Sequence, residues 1–460
     1  MENVVQTNLI TSTANNKVKL PEKFAFFAAN IGDIPIMTII GGYLLIYYTN
    51  VVGLNPAAVG ILFLVARILD AVADPIVGYL IDHLPRVRMG RFRPWLILGS
   101  LLCSINFLAL WLGPDLANSG KLLIAYITYL LIGPTFACMD ISLNSLIPAM
   151  TSSTKERNTL SIIKGVAYII GATVCSMIVV PFVASFSTER MGYHWLIIAV
   201  SVFVFVMCTI GSLGVKERVL PTRTDNYPIK LLFKIVFQSK PLIVLFVGSL
   251  FVMVGNAVRQ GSQIYYLTYN ADNPGLMVTA SLVGLVMMLI SIGFMPFLIK
   301  RFDKKHVLIA SFILAAIGAI ALFPVPYHSG ALIVTTIGVN SLGLGALMSI
   351  NYSLQADTID YVEWKHGYRA EGIVSSLNSF VAKVGQALGG AIPAFMLSMT
   401  GFNAEANAQN GSTLLGINLS MSVIPFVTIL LGALIYCAYP LTRDRIVRIT
   451  SELDLRNKDK

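Results

Sequence analysis

Apolar residues in this chain gather in twelve long runs separated by short polar stretches. The runs cover residues 24–49, 58–81, 94–113, 121–148, 159–185, 194–214, 241–268, 275–299, 307–323, 331–356, 372–400 and 413–438. A helix needs roughly 20 apolar residues to cross the hydrocarbon core of a bilayer. A large soluble helical protein would place polar faces within such runs, and these lack them. The pattern predicts an all-α, polytopic membrane protein with twelve transmembrane helices.

The longest polar interval, "VKERVLPTRTDNYPIKLLFKIVFQSK" (residues 215–240), divides the runs six and six. This predicts an N-terminal six-helix bundle over 1–214, a central loop over 215–240, a C-terminal six-helix bundle over 241–440 and a tail over 441–460. Two six-helix halves are the signature of a parallel repeat. A faint echo supports it. The loop after the second run reads "DHLPRVRMGRFRPW" and the loop after the eighth reads "KRFDKKH"; both are short and basic and contain an Asp.

Charge placement adds orientation. Charged residues make up 12% of the chain and hydrophobic ones 56%, against about 25% charged in a typical soluble protein. The net charge of +10 might point to nucleic acid, but 27 of the 33 Lys and Arg fall in alternate loops on one side. That bias is the positive-inside rule. Both termini are expected on the cytoplasmic face, and the basic balance reflects topology and lipid head groups, not a nucleic-acid partner. The first twenty residues carry no hydrophobic signal core. Cys103, Cys138, Cys175, Cys208 and Cys437 all lie in the apolar runs without a C-x-x-C pair, and are expected as packing residues, not disulfides or metal ligands.

Apart from Lys121 at the edge of its run, eight formal charges sit inside the runs: Asp33, Arg67, Asp70, Asp74, Asp140, Lys164, Arg259 and Lys383. A charge in hydrocarbon costs at least a few kcal/mol, so such residues face a protein interior and pair or function. The stretch "RILDAVADP" (residues 67–75) is the densest case. Arg67 and Asp70 are i,i+3, and Asp70 and Asp74 are i,i+4, so all three share one helix face. Two carboxylates that close do not both ionise easily without a cation. Arg67 can hold one in its planar fork; the other is free to take a proton or a sodium ion. The bland alternative is a static salt-bridge cluster that orders the bundle.

At this point the residues resemble a family. "RILDAVADP" with "GRFRPW", "MDISLNSLIPAMTSSTKER" (residues 139–157) and "ADTIDYVEWKHGYRAEGIVSSLNSFVAKVGQALGGAIPAF" (residues 356–395) are similar to blocks of the glycoside–pentoside–hexuronide:cation symporters. That group lies within the major facilitator superfamily. The last block and "YPLTRDRIVRITSELDLRNK" look nearest to its glucuronide permeases. The resemblance covers nearly the whole chain. It implies cation-site roles for Asp70, Asp74, Arg67 and Lys383, with Asp140 touching both sites. It implies sugar contacts for Asp33, Asp140, Lys164 and Asn378. Carboxylates and cations on facing helices suit polyols, which both donate and accept hydrogen bonds.

Two departures bear on specificity. Where melibiose-type members carry an Asn before the second acid and a Thr before the span-four acid, this chain has Ala73 and Ala137. Sodium prefers a shell of several oxygens, so a proton is the expected coupling ion, with sodium as the alternative. Asn144 stands where those members carry a sugar-stacking aromatic; Tyr352 is a candidate ring, or a packing residue. Arg259, in "NAVRQGSQIYYLTY", either captures an anionic sugar group through a bidentate fork or forms an ion pair across the halves. Asp357, Asp360, Glu363, Arg369 and Glu371 are expected in a cytoplasmic loop, as a gating network or as a solvated face. Asp82 is a candidate partner for Arg91. "KVGQALGGAIPAF" has small residues at helical spacing, which close helix packing explains.

These readings favour a secondary active symporter for a glycoside over a membrane enzyme. All five His lie in loops or at run ends with no metal-ligand spacing. A lipid or lysolipid carrier on the same fold would need a more apolar interior. No cofactor or metal is expected beyond the coupling ion. The expected setting is a bacterial cytoplasmic membrane, with the chain acting as a monomer.

Overall fold

The computed structural model describes residues 17–83, 88–151, 153–219, 238–366, 371–406 and 408–458. Among them the chain is helical throughout. The helices are α1 (Leu20–Ile46), α2 (Pro56–His83), α3 (Phe92–Leu116), α4 (Lys121–Met150), α5 (Thr154–Ala184) and α6 (Glu189–Gly214). After the central segment follow α7 (Lys240–Tyr265), α8 (Leu276–Arg301), α9 (Lys304–Ala321), α10 (Gly330–His366) and α11 (Glu371–Met399). Next come α12 (Gly411–Met421), α13 (Val423–Cys437) and α14 (Arg443–Lys458).

Among the described residues, eleven segments are long and apolar enough to cross a membrane. The remaining expected span is α2. At 28 residues it is long enough, and its first part, Pro56–Arg67, is apolar. The final span is broken into α12 and α13 at Ser422. Pro425 removes a backbone donor there, and the Ser422 hydroxyl donates to the carbonyl of Asn418 at 2.6 Å.

One expectation needs correcting. Asp357, Asp360 and Glu363 lie on α10, which runs 37 residues to His366, and not in a loop. Nothing in that polar stretch up to His366 breaks a helix. Glu371 opens α11, and Arg369 lies outside the described residues.

The chain divides into two compact units. The first comprises residues 1–40, 50–54 and 65–224; the second comprises 41–49, 55–64 and 225–460. The C-terminal end of α1 and the first turns of α2 therefore pack with the second unit's helices.

In the first unit, α3 packs on both α4 and α6. The Glu217 carboxylate accepts from the backbone N–H groups of Arg91, Phe92 and Arg93 at 2.8, 2.8 and 3.0 Å. These are the free donors at the start of α3. Arg93 in turn donates to the carbonyls of Ser212 and Leu213 at the end of α6. Arg218 pairs with Glu22 at 2.5 Å. The start of the central segment thus ties α1, α3 and α6 together.

In the second unit, α7 packs against α11 and α13, and α10 packs against α8 and α9. The small-residue stripe on α11 does what its spacing predicts. A side chain at Gly389 would overlap Ala257 of α7, and one at Gly385 would meet Met253 at 2.9 Å. α14 buries Ile449 and Leu453 in the same core as Tyr361 and Val362 of α10.

A second internal echo emerges here. α1 and α7 each end in one wider turn, Tyr47–Val51 and Tyr266–Asn270. The sequences "IYYTNVVGLNP" (46–56) and "IYYLTYNADNP" (264–274) match at those ends. Each leaves its turn through a left-handed residue, Gly53 (φ 78°) and Asp272 (φ 48°). The Thr49 and Tyr265 hydroxyls are 2.7 Å apart and buried.

Candidate functional site

α4 carries most of the polar chemistry of the first unit. Tyr129, Gly133, Asp140 and Asn144 lie within about 60° of one another around its axis at 3.6 residues per turn. Two clusters form along this face.

The first cluster joins α2 and α4. Arg67 Nη1 donates to Asp70 Oδ2 at 2.9 Å, with both side chains largely buried. Tyr129 lies within hydrogen-bonding reach of the Arg67 guanidinium. The Asp70 carboxylate occupies the notch left by Gly133, where any side chain would overlap it. A buried pair held this way is costly to break, roughly 3–5 kcal/mol when one partner is removed. Asp74 is one helical turn further along α2; its side chain, like that of Asp82, lies outside the described residues. Ala137, on α4, is buried and offers no oxygen.

The second cluster joins α4 and α5, with α1 nearby. Asn144 Nδ2 donates to Asp140 Oδ1 at 2.9 Å. Lys164 donates to the Asn144 amide oxygen and stands 4.0 Å from Asp140. Asp140 and Lys164 remain about one-third exposed, so both keep capacity for another partner. Asp33 of α1 is buried, and its Oδ1 has no hydrogen-bond partner among the described residues. It lies within electrostatic range of Asp140 and Lys164. The set offers acceptors on two acids and donors on an amide and an ammonium, which matches the mixed bonding of sugar hydroxyls.

In the second unit, Gln355 of α10 donates to Asn378 of α11 at 3.0 Å. Tyr352 is one turn before Gln355 on α10; its side chain lies outside the described residues, as does that of Glu371. Lys383 sits on α11. Arg259 on α7 is buried. Its Nη1 donates to Gln263 Oε1 at 3.3 Å, and its Nε has no partner among the described residues.

At the end of α10, Lys304 of α9 reaches both oxygens of Asp357, at 3.0 and 2.7 Å. Burial raises the Asp357 carboxyl above its ordinary value, and the Lys304 hydrogen bond opposes that rise. Arg91 spends its backbone N–H on Glu217 and lays its guanidinium 5.6 Å from the Phe92 ring.

Sequence reasoning missed Gly133, Tyr129, Gln355, Lys304 and Glu217. For the first two a signal existed. With Asp140 as anchor, Gly133 is two turns earlier on the same face and Tyr129 one turn before that. For Lys304 and Glu217 no local pattern marks the partner, because each reaches across to another helix.

Among the described residues no group of three or more His, Cys, Asp or Glu is placed to hold a metal ion. A family profile described as MFS/sugar transport protein matches residues 26–443. The glucuronide carrier protein homolog of Escherichia coli (strain K12) is 31% identical over 421 residues, covering 90% of this chain and 91% of that protein. The isoprimeverose transporter of Lactiplantibacillus pentosus is 31% identical over 438 residues, covering 92% and 89%. In fold, the chain resembles a bacterial homolog of the human lysosomal transporter Spinster. The TM-score is 0.66 at 15% identity, over 94% of this chain and 99% of that one.

Proposed function

The chain belongs to the MFS/sugar transport protein family, and on that premise we propose that it is a secondary active symporter for a glycoside. The cargo is a glucuronide or other hexuronide, or a pentoside, and it enters with a proton by alternating access. The proposed setting is a bacterial cytoplasmic membrane with both termini inside, the carrier acting as a monomer. Relatives named for a glucuronide and for isoprimeverose support a sugar cargo.

The observation that carries the coupling is the Arg67–Asp70 pair. With Asp70 already matched by a guanidinium, Asp74 one turn away is the spare acid on that face. A spare carboxylate in a site of low dielectric gains from binding a cation. Few side-chain oxygens are offered, since Ala73 precedes Asp74 and Ala137 stands on α4 where melibiose-type members carry a Thr. A proton needs one oxygen, whereas sodium needs several, so the proton is the better fit.

Asp33, Asp140, Asn144 and Lys164 hold the sugar. Hydroxyls displace the loose 4.0 Å approach of Lys164 to Asp140 with shorter bonds and give Asp33 Oδ1 its missing donor. Loading of Asp74 and of the sugar reinforce one another, and each raises the other's affinity by the same factor. An inward proton gradient then drives accumulation.

The test is uptake by the purified protein in proteoliposomes. A pH gradient and a sodium gradient are compared with β-glucuronides, β-xylosides and α-galactosides as cargo. Uptake of a β-glucuronide or β-xyloside driven by the pH gradient supports the reading. Absence of sugar-dependent proton or sodium flux with every glycoside sinks it. Sodium-driven uptake with no response to pH would retain the transport reading and replace the coupling ion.

A further inference from the structure

Arg259 is a full positive charge on a membrane-spanning helix. It lies nineteen residues beyond the first residue of α7, about 28 Å at 1.5 Å per residue. That depth removes it from the lipid head groups at the first end of the span, and Asn270, the last residue of the span, is eleven residues further on. The side chain is 9% exposed. A guanidinium presents five N–H donors and no acceptor. Here one donor reaches a neutral amide oxygen, Gln263 Oε1, at a long 3.3 Å, and the buried Nε has none among the described residues.

The composition of its own unit sharpens this. No Asp or Glu occurs within the apolar runs of the second unit. The nearest acids in sequence are Asp272, in the turn after α7, and Asp225, in the central segment. Asp357, on α10, is held by Lys304. Gln263 adds to the surplus of donors, because its Nε2 has only the Met277 thioether, a weak acceptor, at 3.3 Å. An uncompensated charge in such surroundings is expensive to keep.

We infer that Arg259 with Gln263 forms a recognition site for the carboxylate of an acidic sugar, so that the cargo itself supplies the missing counter-charge. This rests on the transport reading above and narrows it from a hexuronide or a pentoside to a uronide. A carboxylate satisfies a guanidinium through two parallel N–H···O bonds. The Gln263 amide is placed to add a third donor. A hydroxyl cannot replace it, because a neutral partner leaves the charge uncompensated. Selectivity should therefore be large, as for any site whose buried polar groups go unpaired with the wrong ligand.

The experiment uses the full chain in proteoliposomes, with 4-nitrophenyl β-glucuronide and its neutral twin, 4-nitrophenyl β-glucoside. The wild type is expected to favour the acid by at least tenfold in kcat/KM. R259Q should lose at least tenfold for the acid, mainly in KM, with the neutral twin changed less than twofold. R259K should recover part of the loss, since an ammonium keeps the charge and loses the fork. Uptake of the neutral twin doubles as the folding control. Free glucuronate should compete with the acid and acetate at equal concentration should not, which separates a sugar carboxylate from any small anion.

Equal loss for both compounds in R259Q overturns the inference and makes Arg259 structural. Equal competition by acetate overturns it in favour of a general anion site. A wild type that moves the neutral twin and not the acid overturns it while leaving the glycoside reading intact. A wild type that moves no glycoside ends both.

Discussion

The carboxylate of Asp70 lies where a side chain on Gly133 would have to stand. A helix face of α4 is thus hollowed to seat an acid from α2, and Arg67 closes the seat from the other side at 2.9 Å. The smallest possible addition to Gly133 should disturb the pair. G133A is expected to cut proton-driven accumulation at least tenfold with protein still in the membrane. G41A is the control, because a methyl there meets nothing within 4 Å. Equal effects of the two variants would show that the notch does not matter.

Asp74 and Asp70 should separate by role. D74N is expected to abolish accumulation against a gradient yet keep sugar exchange between equal pools, because only the coupling acid is lost. D70N instead strands the Arg67 charge, at a cost of roughly 3–5 kcal/mol, and should lower the thermal midpoint in detergent. Accumulation that survives D74N would remove the coupling role from α2.

Lys164 stands between the Asn144 amide and the Asp140 carboxylate. K164A should raise KM for the glycoside at least tenfold with a smaller change in the maximal exchange rate. K164R should sit between the two, since its fork keeps the charge but changes the geometry. An unchanged KM in both variants would place the sugar elsewhere.

The Lys304–Asp357 pair predicts a pH signature. Burial raises the folded-state carboxyl above its ordinary value of 3.8. The folded chain therefore holds a proton that the unfolded chain releases, and stability falls as pH rises through that window. The contribution is complete below 3.8 and lost above the folded value. D357N should flatten this part of the curve. K304A removes the group that opposes the rise, so its loss of stability should extend to higher pH. Thermal midpoints of the three proteins between pH 4 and 8 decide the matter; identical slopes would refute it.

The sequence by itself determined the class of the protein. Apolar runs of spanning length must become helices in a bilayer, because no other structure satisfies each backbone group within a single segment. Intramembrane charges are rare enough that Arg67, Asp70, Asp140 and Lys164 stood out from their cost alone, and helical spacing placed Arg67, Asp70 and Asp74 on one face, although the structure was needed to give Arg67 to Asp70. Local chemistry also read the Gly385 and Gly389 stripe correctly, since small residues one turn apart have one common use.

Only the tertiary structure decided what each charge touches. Gly133 is silent in sequence until Asp70 is seen in its notch. Lys304 and Asp357 are 53 residues apart, and Glu217 is more than a hundred from the helix start it caps. Asp357, Asp360 and Glu363 read as loop residues because polarity marks the end of a membrane span. Polarity does not mark the end of a helix, and α10 runs on through all three to His366. That the Nε of Arg259 meets no partner among the described residues is likewise a tertiary fact. Hydropathy finds a buried cation; only packing tells whether the chain has already given it an anion.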